Sequence, residues 1–290
     1  MSAAGTARLR LATAALLFST GGAAIKAAEF DAWQIAGFRS GIAALTLLLL
    51  LPAARRGWTW RAAVVGTSYA ATLVLFVLAN RLTTAANTIF LQSTAPLYLL
   101  LLAPWLLHER PRRRDLMVMA AVGAGLLLFF VGAERPAATA PDPARGDLLA
   151  AFSGVCWALT LVGLRWMSRR DPAAGGLGAV VIGNLIAFAG CLPLALPLGS
   201  HPASDWSTIL YLGSIQIGLA YVFVTSALRE LPVFEASLIL LLEPALNPLL
   251  TWLVHGEIPG AWALAGGAVI LAATTVKAWA DSRLDPSPSP

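Results

Sequence analysis

Charge is what this chain of 290 residues has least of: Asp, Glu, Lys and Arg together make up 12% of it, about half the share of a typical soluble domain. Cysteine is nearly absent. The two present, Cys156 and Cys191, both fall inside apolar runs, which excludes a disulfide framework; with histidine limited to His108, His201 and His255, scattered at loops, no zinc site with its roughly four ligands can be read. The signatures of catalysis are missing too. There is no Gly-rich phosphate loop, no His-Glu-x-x-His, no paired-Asp metal motif and no serine nucleophile elbow, so neither an enzyme nor a bound cofactor is expected. Segments of about ten residues alternating apolar and polar, the mark of a transmembrane β-barrel, do not occur either.

What the chain does have is long apolar runs. Hydrophobic residues make up 58% of it and the mean hydropathy is +0.74. Ten runs near the roughly 20-residue spanning length cover residues 10–28, 33–53, 61–80, 84–107, 115–132, 146–167, 176–198, 206–227, 232–255 and 260–280. Each is expected to be a helix, because only helices and closed barrels satisfy every backbone donor and acceptor in lipid. The net charge of +5 does not point to nucleic acid, since the arginines sit in short breaks between runs. They fit the rule that basic residues gather in cytoplasmic loops: with the N-terminus inside, Arg8, Arg10, Arg55, Arg56, Arg61, Arg113, Arg114, Arg165, Arg169, Arg170 and Arg229 fall on one side, and Arg81, Arg135 and Arg145 on the other. Both termini are then expected at the cytoplasmic face of the inner membrane. A cleaved signal peptide ending near Ala27 and Ala28 is the competing reading of the first run.

A second regularity is a repeat. At a constant offset of 148 residues Arg81 pairs with Arg229, Pro96 with Pro244, Glu109 with Glu257 and Pro111 with Pro259. That period is far longer than a solenoid repeat of roughly 20 to 50 residues, and it suits two related halves around a site near the bilayer midplane. Five spans per half make the second half enter the membrane from the opposite side. The turn after Glu109 accordingly holds Arg110, Arg112, Arg113 and Arg114, whereas the turn after Glu257 has no basic residue before Lys277. The expected architecture is therefore an all-α integral membrane protein of ten transmembrane helices, two inverted five-helix repeats around a central cavity. Residues 1–134 form the first repeat, 135–145 the connection, 146–281 the second repeat and 282–290 a disordered tail rich in Pro and Ser.

Several stretches resemble the drug/metabolite transporter superfamily, and within it the EamA-type carriers that include YddG-like amino acid exporters. They are Ser93-Thr94-Ala95-Pro96 running to His108-Glu109, Leu242-Glu243-Pro244 running to His255-Gly256-Glu257, Arg39 in the second span and Trp157-Ala158 in the sixth. The resemblance covers the whole chain. It implies a secondary carrier that exports amino acids and related small metabolites by alternating access, with the lipid bilayer and a small-molecule substrate as its partners and no obligate protein partner. Without ATP motifs such a carrier runs on gradients, as a uniporter or as a proton-coupled exchanger.

Polar and aromatic residues inside the spans are the candidates for the site, because each polar group costs several kcal/mol at the bilayer centre unless it faces protein or water. The expected substrate-binding set is Tyr69, Phe76, Asn87, Gln92, Ser93, Trp157, Tyr221 and Glu243; helical spacing prevents all the polar groups around Ser93 from sharing one face. Phe18 belongs with the aromatic wall, and by the resemblance Tyr69 and Trp157 face the centre. Glu243 has two readings: a group that binds a substrate amine or carries a proton, or a structural acceptor beside a proline-broken helix. Pro96, Pro244 and Pro248 are candidate gates or hinges, weighed against fixed bends. Lys26 is expected to snorkel to the interface. Arg39 is expected to be structural, near a packing seam made by Gly37 and Gly41.

Overall fold

The computed structural model describes residues 3–106, 113–131, 137–170 and 176–284. The expectations that rest on His108, Glu109, Arg110, Pro111, Arg112, Arg135 and the tail from Asp285 lie outside the described residues. Among those described, the secondary structure is helical apart from turns and an isolated bridge between Ala137 and Ala140. The order is α1 (Ala3–Ser19), α2 (Gly21–Ala27), α3 (Ala32–Leu50), a 3-10 turn (Pro52–Arg55), α4 (Trp60–Leu82), α5 (Ala85–Gln92), α6 (Ala95–Leu106), α7 (Arg113–Val131), α8 (Pro143–Arg170), α9 (Leu177–Ala195), α10 (Ala203–Tyr211), a π-helical stretch (Leu212–Leu219), α11 (Ala220–Ala227), α12 (Val233–Ile239), α13 (Leu242–His255) and α14 (Ala261–Leu284). Among the described residues six stretches are long and apolar enough to cross a bilayer: Ala32–Leu50, Trp60–Leu82, Pro143–Arg170, Leu177–Ala195, Ala203–Ala227 and Glu235–His255.

Local chemistry sets the helix starts. Asp31 and Gln34 close a reciprocal capping box on α3, with Gln34 N–H donating to Asp31 Oδ1 at 2.8 Å, which satisfies backbone donors that no helical carbonyl can reach. Thr59 and Thr84 cap α4 and α5 in the same sense. Asp142 accepts from Arg145 N–H at 3.3 Å, and Pro143 takes the first helical position, where its missing N–H costs nothing. This starts α8 three residues before the 146 boundary read from hydropathy. At the other terminus α14 continues to Leu284, past the expected boundary at 281.

Four of the ten expected spans are interrupted: 10–28 between α1 and α2, 84–107 between α5 and α6, 206–227 by the π-helical stretch, and 232–255 between α12 and α13. Two of the breaks fall at Pro96 and Pro244, the candidate hinges. Pro96 is the second residue of α6 and Pro244 the third of α13, so the helices end before them and restart with proline in a first turn that has no use for its N–H. At the first break the last carbonyls of α5 accept twice: Ile89 O from the Ser93 N–H at 2.9 Å and from its hydroxyl, and Leu91 O from the Thr94 N–H at 3.3 Å and from its hydroxyl at 2.7 Å. Pro104 and Pro248 do lie inside their helices.

The packing is the reverse of a soluble domain. Leu45, Leu49, Leu50, Val64, Phe152, Leu210, Leu249 and Leu253 are exposed, as are Trp58, Trp60, Trp105 and Trp262 near helix ends, where tryptophan suits the membrane interface. Inside, Arg39, Thr72, Asn80, Asn87, Asp147, Ser153, Thr160, Asn184, Gln216 and Asn247 are buried. α3 lies along α9, α4 against α8 and α9, α1 against α11 and α13, the π-helical stretch against α3, and α7 against α14. Gly37 and Gly41 form the expected seam: a Cβ on Gly41 would meet the Phe188 ring at 2.9 Å, and one on Gly37 would meet Cys191 at 3.0 Å.

Candidate functional site

The broken helices meet around a small cavity of about 40 Å³, lined by Phe18, Arg39, Thr72, Leu73, Phe76, Gln92, Trp157, Gln216, Ile217, Tyr221 and Glu243. A second, of about 20 Å³, adjoins it and shares Gln92, Trp157 and Glu243; its further walls include Ser93, Pro96, Ser237 and Pro244. The two breaks at prolines thus bound one hollow, lined from α1, α3, α4, α5 and α6 and from α8, the π-helical stretch, α11, α12 and α13. Wider hollows, around Trp58, Trp60 and Ile186 and around Tyr211, Leu250 and Val254, lie open on the apolar outer face and offer little to a polar solute.

Tyr221 is the hub of the aromatic wall. Its ring meets Phe18 edge-on at 5.2 Å between centroids, Tyr69 at 4.6 Å and Trp157 at 6.1 Å, geometries that let ring edges meet ring faces. Tyr69 itself is fully buried behind Tyr221, and its hydroxyl accepts from Asn184 Nδ2 at 3.0 Å. It supports the wall and does not line the cavity. Gln92 Nε2 donates to Ser153 Oγ at 2.7 Å, and Ser153 Oγ donates to the Thr72 carbonyl at 3.3 Å, which joins α5, α8 and α4 at the cavity's edge.

Of the residues expected from sequence, Phe76, Gln92, Trp157, Tyr221 and Glu243 share the larger cavity; Ser93, Pro96 and Pro244 border the smaller one. Asn87 does not join them. Its side chain donates to both Asp147 oxygens, at 3.1 and 3.3 Å, near the helix ends where α4 and α13 finish, because five residues separate it from Gln92 and the helix carries it more than a turn away. Pro248 lies one turn beyond Pro244 and lines neither cavity. The structural reading of Glu243 also lacks its hydrogen bonds: among the described residues no donor reaches the carboxylate, and only its backbone N–H is engaged, to Leu240 O at 3.0 Å.

Two cavity residues escaped the sequence reading. Arg39, assigned a structural role beside the seam of Gly37 and Gly41, is 1% exposed and lines the cavity; its Nη2 donates to Leu73 O at 3.0 Å and its Nε has no partner. Gln216 comes from the π-helical stretch, a geometry frequent at functional sites. Its Nε2 donates to Phe18 O at 3.4 Å and its Oε1 is unpartnered. A lone amide in the apolar run 206–227 was the available signal. Two glycines make room: a Cβ on Gly21 would stand 2.7 Å from Gln216 Nε2, and one on Gly213 would stand 2.7 Å from the Arg39 carbonyl.

Lys26 does not snorkel. Its ammonium is buried 2.8 Å from Glu257 Oε2 and donates to Thr83 O at 3.1 Å and Thr139 O at 2.7 Å. The other Glu257 oxygen accepts from Ala85 N–H at 2.6 Å, at the N-terminus of α5, whose dipole favours an anion. Thr83 Oγ1 donates to Asp147 Oδ1 at 2.7 Å beside Asn87. Among the described residues no group of His, Cys, Asp and Glu is arranged to hold a metal ion.

A small cavity walled by aromatic rings and a few polar groups inside an apolar helical bundle fits a membrane transporter. The chain is 31% identical to the Pseudomonas aeruginosa protein PA1977 over 245 residues, covering 81% of this chain and 80% of that one. It is 22% identical over 183 residues to YyaM of Bacillus subtilis, described as a transporter, covering 62% and 60% of the two chains. A solved crystal structure shares the fold over 97% of this chain and 99% of its own, with a TM-score of 0.70 at 21% identity. The EamA-like transporter family model matches residues 7–131 and 144–277, and the chain accordingly belongs to that family, a multi-pass membrane transporter of small solutes in the drug/metabolite transporter superfamily.

Proposed function

We propose that the protein is a secondary carrier exporting amino acids and related small metabolites across the cytoplasmic membrane, by alternating access between two inverted five-helix halves, residues 1–134 and 146–281. The observation that carries this reading is the cavity: aromatic rings and a few polar groups, contributed by both halves, at the level where the helices break. An apolar wall with a small number of directed polar groups suits solutes that share a polar head and vary in side chain.

The packing supports the duplication. Exchanging the halves turns α4 on α8 into α11 on α1, α5 and α6 on α8 into α13 on α1 and α2, and α4 on α9 into the π-helical stretch on α3, while α3 on α9 and α7 on α14 map onto themselves; all these contacts are made. The breaks follow the 148-residue register as well. α5 ends at Gln92 and α12 at Ile239, one residue short of the exact counterpart. Alternation is supported by size: about 40 Å³ admits roughly three waters at 10 to 15 Å³ each, too little for an amino acid, so the halves must part on one side to load and on the other to release.

The test is counterflow into proteoliposomes. Uptake of tritiated L-leucine and L-phenylalanine should saturate and accelerate when the unlabelled amino acid is trapped inside. Trp157→Ala should cut the rate about tenfold or more while thermal unfolding in detergent stays within a few degrees, since Trp157 is only partly buried. Flux that neither saturates nor responds to trapped amino acid would discard the carrier reading.

A further inference from the structure

The cavity wall holds three unused polar groups: the Arg39 Nε donor and the Gln216 Oε1 acceptor, both buried without a partner, and the Glu243 carboxylate, for which no donor is present among the described residues. Nature rarely leaves such groups orphaned in an apolar interior, because each costs the full loss of its hydration. They are also not spent on one another. Arg39 and Glu243 line the same cavity and form no ion pair within 4.0 Å, although direct pairing would be the simplest way to neutralise both.

Resting on the carrier reading, we infer that Arg39 and Glu243 are the two ends of a zwitterion clamp: the Arg39 guanidinium takes the substrate carboxylate, and Glu243 with Gln216 Oε1 takes the substrate ammonium. A guanidinium is matched to a carboxylate by geometry as well as charge. Arg39 is held for this task by its bond to Leu73 O and by the close approach of the π-helical stretch at Gly213. The Gln216 amide is oriented by its donation to Phe18 O, which leaves the oxygen facing the ammonium. A free α-amino acid satisfies all three groups at once. An amine satisfies only the acceptors, an organic acid only the donor, and each leaves the opposite charge buried and unpaired.

The clamp is tested by competition against tritiated L-leucine in counterflow, with L-leucinamide, which lacks the carboxylate, and 4-methylpentanoate, which lacks the ammonium. In the wild type both analogues should compete at least about tenfold more weakly than L-leucine. Arg39→Lys keeps the charge but loses the fork; it should raise the half-inhibitory concentration of L-leucine and shrink its advantage over L-leucinamide to about threefold or less. Glu243→Gln keeps shape and should shrink the advantage over 4-methylpentanoate instead, leaving that over L-leucinamide intact. This crossed pattern is one that a general loss of stability cannot produce. Should Arg39→Lys fail to fold, the Glu243→Gln arm decides alone. Unchanged ratios in folded variants that still show counterflow overturn the clamp and leave the carrier reading standing; absence of leucine and phenylalanine counterflow in the wild type removes both.

Discussion

The two ends of the helix bundle are closed by opposite kinds of chemistry. At the end where α2, α4 and α13 finish, the seal is polar and buried: Lys26 and Glu257 side chains are 6% and 5% exposed, and Asp147, Thr83 and Asn87 sit beside them. At the end where α1 and α12 begin, the seal is apolar. Leu11, Leu47, Leu164, Leu228, Leu231 and Val233 fill it; Arg165 donates to the Leu228 and Arg229 carbonyls at its edge, and one ion pair described there, Arg8 with Glu235 at 2.8 Å, has side chains 57% and 35% exposed. A buried ion pair is strong only as a pair, because breaking it strands a charge, whereas apolar contact yields gradually. The polar end therefore behaves as a latch with one closed geometry, and the apolar end as a contact that can slide.

Breaking the latch gives the largest expected effect. Lys26→Met leaves Glu257 buried with, among the described residues, the Ala85 N–H as its remaining partner and should cost about 3 to 5 kcal/mol, read as thermal unfolding in detergent. Adding Glu257→Gln should recover a good part of it, since the amide oxygen can still accept from Ala85. If the double variant is no more stable than the single one, the latch is not held by this pair and the contrast between the ends fails.

This latch also shows what the sequence could and could not reveal. Helices follow from hydropathy and spacing, which are local properties: among the described residues, six of the ten expected spans, 33–53, 61–80, 146–167, 176–198, 206–227 and 232–255, coincide with stretches long and apolar enough to cross a bilayer. The Lys26 partner lies 231 residues on, at Glu257; nothing near Lys26 announces it, so a lone lysine near a helix end read as a snorkelling one. Asn87 was misplaced for a related reason. It lies on the same helix as Gln92, but a helical turn separates the latch from the cavity, and composition alone does not say which level of the bundle a polar group serves. Gln216 was marked only as a lone amide in the apolar run 206–227, and nothing local shows that a π-helical turn brings it to the cavity. The cavity's aromatic residues were legible since aromatics away from the interfaces are unusual in spans.

The apolar end should respond next in magnitude. Leu164 on α8 is fully buried and touches the backbone turn at Gly176; Leu164→Ala removes contacts and leaves a hollow, at a cost of about 2 to 4 kcal/mol. Unlike a charge defect, this loss should barely change between 50 mM and 500 mM salt, since no screened interaction is involved. A salt-dependent loss of similar size would mean that electrostatics reach further into this end than the contacts indicate.

The smallest effect belongs to the pair that looks most like the latch. Arg8 Nε and Glu235 Oε1 stand at 2.8 Å, the same separation as Lys26 and Glu257, so distance alone would rank the two pairs equally. Their surroundings do not. Water reaches both members of the Arg8 pair, screens their attraction and solvates either one if the other is removed, so an exposed pair contributes about 0 to 1 kcal/mol. Arg8→Ala should therefore shift unfolding by less than about 1 kcal/mol, and that shift should vanish at 500 mM salt, where the Debye length is only about 4 Å. Glu235→Gln should match it within error. A loss from Arg8→Ala as large as that from Lys26→Met would show both ends to be latched alike, and the asymmetry drawn between them would be wrong.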